Sequence, residues 1–372
     1  MLEILIYAFY LLIKCALIFM PNITIFYNYY KKNYIYIYMS VNILTLNKPI
    51  WFMRQAGRHL PEYRNLRLKK DNFLDFCFDF DCVVESSLQP VRRYDVDCAI
   101  VFSDILVIPY LLGQKVDFKK GVGPCLEKLN FLDLLNLEPC RYRQNKLNNS
   151  YRAIKKIRKL LDKNKSLIGF CGAPWTVACY MIDGNSKGGF GLSKESIKKN
   201  KNYLSALLDK IVDVSIKHLV KQIENGCDTL MIFESWAGLV DSKNKKDLLY
   251  KPLEKIIQGL RKCNIEAPII VFPKGLGTGI IDYTKNVHAD VLSIDHEIDL
   301  EWAIKNIRNG IVLQGNLNPK ILEKGGNKLD KELLKIKKSV GNRQHIFNLG
   351  HGLLPGTPIE HVHRFIEILR SN

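Results

Sequence analysis

No CxxC pair, no HExxH step and no His-x-Cys step occurs anywhere in the 372 residues. Ten cysteines are present but scattered, and Cys98, Cys171 and Cys227 sit in apolar runs. That pattern fits reduced, buried thiols and excludes a disulfide framework. Zinc sites need convergent ligands at set spacings. Asp295-His296-Glu297 is too compact to converge on one ion, and His361 and His363 fall on the last expected helix. No metal site is therefore expected. Acidic residues are also short: 37 Asp and Glu stand against 55 Lys and Arg, a net charge of +18. No dense basic block joins stacking aromatics, so the charge reads as a lysine-rich solvated surface or a site for anions, not a nucleic-acid module.

Residues 4–61 contain no acidic residue at all. Within them, residues 4–20 are almost wholly apolar apart from Lys14, and a Tyr/Asn/Lys-rich stretch follows. An apolar core followed by an acid-poor segment predicts a bipartite leader over residues 1–45, a signal-like part and then a transit-like part. A plastid-type organelle of the apicoplast kind is the expected destination. The cytoplasm is the alternative, with translation starting at Met39. Lys14 would lie mid-span in a membrane helix, so no stable membrane anchor is expected.

What remains, residues 46–372, reads as a single domain. It holds 47 % apolar residues chain-wide, enough for a large core. Eight short apolar runs recur: Ile50–Met53, Ala99–Phe102, Leu167–Phe170, Thr229–Phe233, Ile269–Phe272, Val291–Ile294, Ile311–Leu313 and Ile346–Leu349. Such runs suit strands buried on both faces of a parallel sheet. The intervals carry helical periodicity, as in Tyr203–Ile223 and Asp299–Arg308. Eight alternations predict an α/β chain folded as a single (β/α)8 TIM barrel. Gly275-Leu-Gly-Thr-Gly279 is not a dinucleotide loop, since its spacing is wrong, and reads as a tight turn.

Polar and glycine-rich residues follow each run, at the strand ends where barrel enzymes place their sites. Arg54 and Arg58 lie four apart with Gln55, Ala56 and Gly57 between them, and Pro61 reads as a first helical residue. Arginine suits carboxylates because its fork is planar and always charged. Gly57 allows a close backbone approach to a ligand. Asp104 ends an apolar run, and a buried carboxylate there needs partners. It is either a helix cap or a group that accepts ligand N–H bonds and stabilises a transient cation. Tyr180 and Ser235 could donate to anions, and His351 stands between two glycines.

Seven segments, in order, are similar to the motifs of the uroporphyrinogen decarboxylase family: Pro49–Arg64, Leu88–Arg93, Phe102–Ile105, Gly169–Thr176, Phe233–Gly238, Gln314–Leu317 and Asn348–Leu353. The chain resembles that family from about residue 48 to about 370. The resemblance implies a homodimeric (β/α)8 barrel that acts in haem biosynthesis. The implied reaction converts uroporphyrinogen III, a tetrapyrrole, to coproporphyrinogen III with loss of four CO2. It implies no metal and no organic cofactor. It further implies that Arg54, Gln55, Ala56, Gly57, Arg58, Asp104, Tyr180, Ser235 and His351 line the substrate cleft, with Asp104, Arg54 and Arg58 catalytic. His59 departs from the family pattern, which has Tyr there. A related methyl-transfer class with a similar barrel needs His-x-Cys zinc ligands, which are missing here.

Overall fold

The computed structural model describes residues 41–119, 123–129, 132–139 and 141–371, and the expected leader lies outside them. Residues Asn42–Asn372 form one compact unit. In chain order its elements are α1 (Pro61–Arg67), α2 (Phe73–Phe78), α3 (Phe80–Tyr94), β1 (Cys98–Ile100), α4 (Val107–Leu111), β2 (Val116–Lys119), β3 (Gly123–Leu126) and α5 (Arg141–Leu160). There follow β4 (Ser166–Gly172), α6 (Pro174–Asp183), α7 (Gly191–Lys199), α8 (Lys201–Glu224), β5 (Thr229–Glu234), α9 (Lys251–Lys262), β6 (Ile269–Pro273) and α10 (Ile280–Asn286). The chain ends with β7 (Val291–Ser293), α11 (Leu300–Asn306), β8 (Val312–Gln314), α12 (Pro319–Lys324), α13 (Gly326–Val340), β9 (His345–Ile346) and α14 (Ile359–Arg370).

Seven strands form one curled parallel sheet in the order β1-β4-β5-β6-β7-β8-β9. Seven of the eight apolar runs are thus strands. The first, Ile50–Met53, is not: Ile50 forms only an isolated parallel bridge to Phe347. The segment is nonetheless held on two sides. Trp51 N–H donates to the Phe347 carbonyl at 3.2 Å, and Asp97 N–H donates to the Ile50 carbonyl at 2.9 Å. The long interval after β1 holds α4, the antiparallel β2–β3 hairpin and α5.

Both faces of the sheet are dry. Alternate residues Ile100, Ile168, Phe170, Met231, Phe272, Val291 and Ile346 pack with Trp51 and Met53 into one cluster. That cluster draws on all the strands and no helix, so it fills the concave face. The intervening residues, such as Leu230, Ile232, Val271 and Leu313, meet the helices. Each such apolar side chain contributes about 1.5–3 kcal/mol on burial. Ile43 is fully buried in the concave cluster, and its N–H donates to Thr229 Oγ1 at 3.2 Å. The folded unit therefore begins slightly before residue 46.

The amino-terminal ends of the strands carry a repeated clamp. Asp97, Asp228 and Asp290 immediately precede the strands β1, β5 and β7 or their neighbours. Each accepts a backbone N–H from an adjoining segment: Ile50 at 2.7 Å, Leu167 at 2.8 Å and Ile269 at 2.8 Å. Each also pairs with a helix arginine: Arg370 at 3.0 Å, Arg158 at 3.1 Å and Arg261 at 3.0 Å. This end ties helices to sheet and leaves the opposite end for chemistry. Among the described residues no helix is long and apolar enough to cross a membrane.

Candidate active site

The site grows from the carboxyl ends of the strands. Arg54 follows the bridged segment with φ +60°, a left-handed conformation that a non-glycine residue adopts at a cost of about 1–3 kcal/mol. Its exposed guanidinium has no ion-pair partner among the described residues, and neither does that of Arg58. Gly352 explains how the Arg54 stem lies down: a Cβ at residue 352 would stand 2.4 Å from Arg54 Cδ. Gly350 serves a second approach, since a Cβ there would be 2.2 Å from the His296 backbone nitrogen. The Gly-His-Gly step thus lets His351 sit between two chain crossings.

Asp104 Oδ1 accepts the Leu106 N–H at 2.9 Å, and the Asp104 carbonyl accepts from Val107 at 3.2 Å. It closes the turn that leads into α4. Burial raises its carboxyl above the usual aspartate value, while the Leu106 N–H and the Arg54 charge pull it down. Tyr180 on α6 is half-buried, and burial raises its phenol; the charges of Asp104 and Arg54 both reach it. His351 is pushed down to about 3 by burial and by the charges of Arg54, Lys274 and His296. It is a neutral imidazole at physiological pH, a hydrogen-bonding group and not a cation. Arg54, Asp104, Tyr180 and His351 therefore share one electrostatic neighbourhood. Half-buried Ser235, just past β5, has no hydrogen-bond partner among the described residues and so a free hydroxyl.

Other expected site residues turn out to hold the loop. Gln55 is fully buried: its Nε2 donates to the Cys98 carbonyl at 3.0 Å and its Oε1 accepts the Phe52 N–H at 3.1 Å. Its backbone N–H is taken as well, by the Phe52 carbonyl at 3.0 Å, so Gln55 anchors the loop and offers a ligand no free donor. A Cβ at Gly57 would lie 3.1 Å from the Arg54 carbonyl, so the glycine allows the loop to fold on itself. Ala56 is half-buried against the core. His59 points inward, stacked on Tyr94 with ring centres 6.1 Å apart, and burial lowers it to about 4. Arg64 caps the loop by donating to the Arg58 carbonyl at 2.7 Å.

Three further residues at the strand ends were given no part in the site by the sequence reading. Lys274 follows β6 with its Nζ 6.0 Å from the Trp236 ring centre, and its charge reaches His351. His296 follows β7 and approaches the Gly350 carbonyl at 3.5 Å. Glu234 ends β5 fully buried. Their signal was position alone: each stands at the carboxyl end of a strand. The spacing Gly184-Asn-Ser-Lys-Gly188 matches a Gly-x-Ser-x-Gly elbow, but it follows helix α6 and not a strand, so it signals no nucleophile. A groove of about 360 Å³ opens beside β7 and β8, lined by Glu297, Asp299, Glu332 and Lys335 among others. It includes neither Arg54 nor Asp104, and its acidic lining is ill matched to a polycarboxylate. Among the described residues no group of three or more His, Cys, Asp or Glu is arranged to hold a metal ion.

A curled parallel sheet of seven strands, flanked by helices, with the exposed Arg54 and Arg58 and the part-buried Asp104 beyond its strand ends, defines a protein of the α/β class. Residues 45–371 match the model of the uroporphyrinogen decarboxylase (URO-D) family, and the chain belongs to that family. A uroporphyrinogen decarboxylase of Rickettsia bellii is 42 % identical over 327 residues, covering 87 % of this chain and 94 % of its own length. One of Rickettsia canadensis is 41 % identical with 87 % and 95 % covered. Among solved structures, a methyltransferase from Methanosarcina mazei is 16 % identical with a TM-score of 0.70, covering 89 % of this chain and 93 % of its own. That likeness is of fold alone. The expected plastid-type destination, with its transit peptide, is corrected by these relatives: they are proteins of bacteria, which have no plastid, and the family match begins only at residue 45.

Proposed function

We propose that this chain is a carboxy-lyase that decarboxylates uroporphyrinogen in haem and porphyrin biosynthesis, removing CO2 from the four acetate side chains to leave methyl groups. The observation that carries the site assignment is the unpaired Arg54 guanidinium, held in a left-handed backbone, whose charge reaches the part-buried Asp104. The substrate carries eight carboxylates, which call for cations free of protein partners. Arg54 and Arg58 bind them, with the backbone of Gln55, Ala56 and Gly57 shaping the mouth. Tyr180, Ser235 and His351 supply neutral hydrogen bonds.

The pyrrole N–H groups point to Asp104. Protonation of the ring makes it an electron sink. The carbon–carboxylate bond then breaks, its electron pair moves toward the ring and CO2 departs. The remaining methylene carbon takes up a proton from water at the mouth to become methyl, and the ring then gives back the proton it had taken, so each acetate consumes one proton and releases one CO2. Asp104 stabilises the cationic ring with little reorganisation, because its carboxylate is part-buried and already oriented by the Leu106 N–H. The substrate thereby acts as its own electron sink, and activity is expected to persist in EDTA.

We further propose that the catalytic domain, expected over residues 46–372, takes in the few residues from Asn42 that pack with it, and that the residues before it are an extension. The bridged segment around Ile50, bonded to both edge strands, is best read as the eighth stave of a (β/α)8 barrel. The enzyme is proposed to work as a homodimer. The test is conversion of uroporphyrinogen III to coproporphyrinogen III by the purified chain with EDTA present. Asp104→Asn should lower kcat by about 10²-fold or more while leaving binding nearly intact. Absence of turnover in the wild type, or a variant that loses binding and turnover equally, would sink the reading.

A further inference from the structure

Glu234 is the last residue of β5, and the mechanism above has no use for it. Side chains alternate along this strand. Met231 and Phe233 belong to the concave cluster, while Leu230 and Ile232 face the helices. Glu234 follows the second set and Ser235 the first. The Glu234 carboxyl therefore lies between sheet and helices, 1 % exposed. Its hydrogen-bonding neighbours are the Thr176 hydroxyl and the backbone N–H groups of Thr176 and Trp236, all neutral. It has no ion pair among the described residues. The titratable groups packed nearest it are the Cys179 thiol on α6 and the Tyr283 phenol on α10; burial first, and then a charge on Glu234, hold both well above their ordinary values, so neither offers it a compensating cation. Lys274 donates its backbone N–H to the Glu234 carbonyl at 3.1 Å but sends its side chain over Trp236. A carboxylate buried without a cation is costly, so the group retains its proton. Burial, opposed by the Thr176 and Trp236 contacts, raises it to about 8.

The contacts around it converge on the site. Thr176 Oγ1 accepts the Trp236 N–H at 3.2 Å, and Trp175 Nε1 donates to the Trp236 carbonyl at 3.1 Å. The Trp236 ring packs against Tyr180 at 6.5 Å and Phe190 at 4.8 Å. Ser235 and Tyr180, both assigned to substrate, are thus set by a hub that begins at Glu234.

We propose that Glu234 is a positioning residue that works as a neutral carboxylic acid, fixing the Ser235–Trp236 turn through Thr176 and keeping negative charge away from a polycarboxylate site. This rests on the decarboxylase reading. On ionisation, an uncompensated charge would appear one residue from Ser235 and repel the substrate, weakening binding more than chemistry.

The test compares the full-length wild type with Glu234→Gln, which keeps the shape and cannot ionise. With uroporphyrinogen III, wild-type KM should rise several-fold above about pH 8 while kcat changes less than about two-fold. Glu234→Gln should match the wild type within about two-fold near pH 6.5 and lack the alkaline rise in KM. A variant that retains the rise, or loses about ten-fold in kcat/KM near pH 6.5, overturns the proposal. Infrared spectroscopy supplies a readout that needs no turnover. The wild type at neutral pH should show a protonated-carboxyl C=O band that disappears near pH 8 and is missing from Glu234→Gln. No such titrating band in the wild type overturns the proposal, even if the variant fails to fold. An inactive wild type would instead sink the decarboxylase reading, leaving the infrared band to decide the state of Glu234.

Discussion

Arg54 is held in a conformation that its own side chain disfavours, and the chain gives that charge no partner. Asp104 is its complement, a carboxylate that burial destabilises and Arg54 partly relieves. The sign of the pH effect follows. Asp104 must be ionised to stabilise a cation, so activity is present above its folded value and lost as pH falls through it. Since burial has raised that value, the acid limb of kcat/KM should lie above the ordinary aspartate range. Arg54→Ala removes a lowering influence and should move the limb further up, besides weakening substrate binding. A limb that stays in place or moves down in the variant would separate Asp104 from the acid limb. His351, already neutral, should contribute no limb at physiological pH.

At the scale of elements, the two ends of the strands have separate tasks. The amino-terminal end carries the three Asp–Arg clamps, each joining a strand-flanking aspartate to a helix and to a neighbouring backbone N–H. The carboxyl-terminal end carries Ser235, Lys274, His296 and His351. Asp290→Ala leaves the Ile269 N–H without its acceptor and Arg261 with only the Ile265 and Ala267 carbonyls. It should cost about 1–3 kcal/mol, read as a lower thermal midpoint, with kcat/KM unchanged at a temperature where the variant is folded. A loss of kcat with unaltered stability would contradict this division. The motifs containing Gln55, Gln314 and Asn348 belong to this scale too. Gln314 Oε1 accepts from Trp51 Nε1 at 3.0 Å and Asn348 Oδ1 from the Met53 N–H at 3.1 Å, so they anchor the loop that presents Arg54.

At the scale of the whole molecule, the chain carries a net charge of +18, and the proposed substrate carries many negative charges. Exposed charges act over about 8 Å at physiological ionic strength, so part of the attraction should be screened by salt. The kcat/KM for uroporphyrinogen should fall as ionic strength is raised, chiefly through KM. A flat salt response would mean that binding depends on desolvated contacts alone. The two arginines of the mouth are the exposed groups best placed to feel the screening.

Much of this was legible from the linear chain, because period and composition report burial directly. The run Thr229–Phe233 is apolar throughout since both faces of β5 are covered, and α8 shows its stripe of Leu204, Leu207, Leu208 and Ile211 since only one face is. Pro61 opens α1 because its fixed φ and missing N–H suit a first turn. Arg54, Arg58 and Asp104 were likewise visible by residue type and place after a strand. Direction and partnership were not, because they depend on contacts between residues hundreds apart. Only the fold turned Gln55 inward to Cys98, set Gly352 under the Arg54 stem, and buried Glu234 with neutral neighbours. Whether a polar side chain serves the ligand or the scaffold is decided by which water it has lost and what replaced it, and that is a property of the tertiary structure.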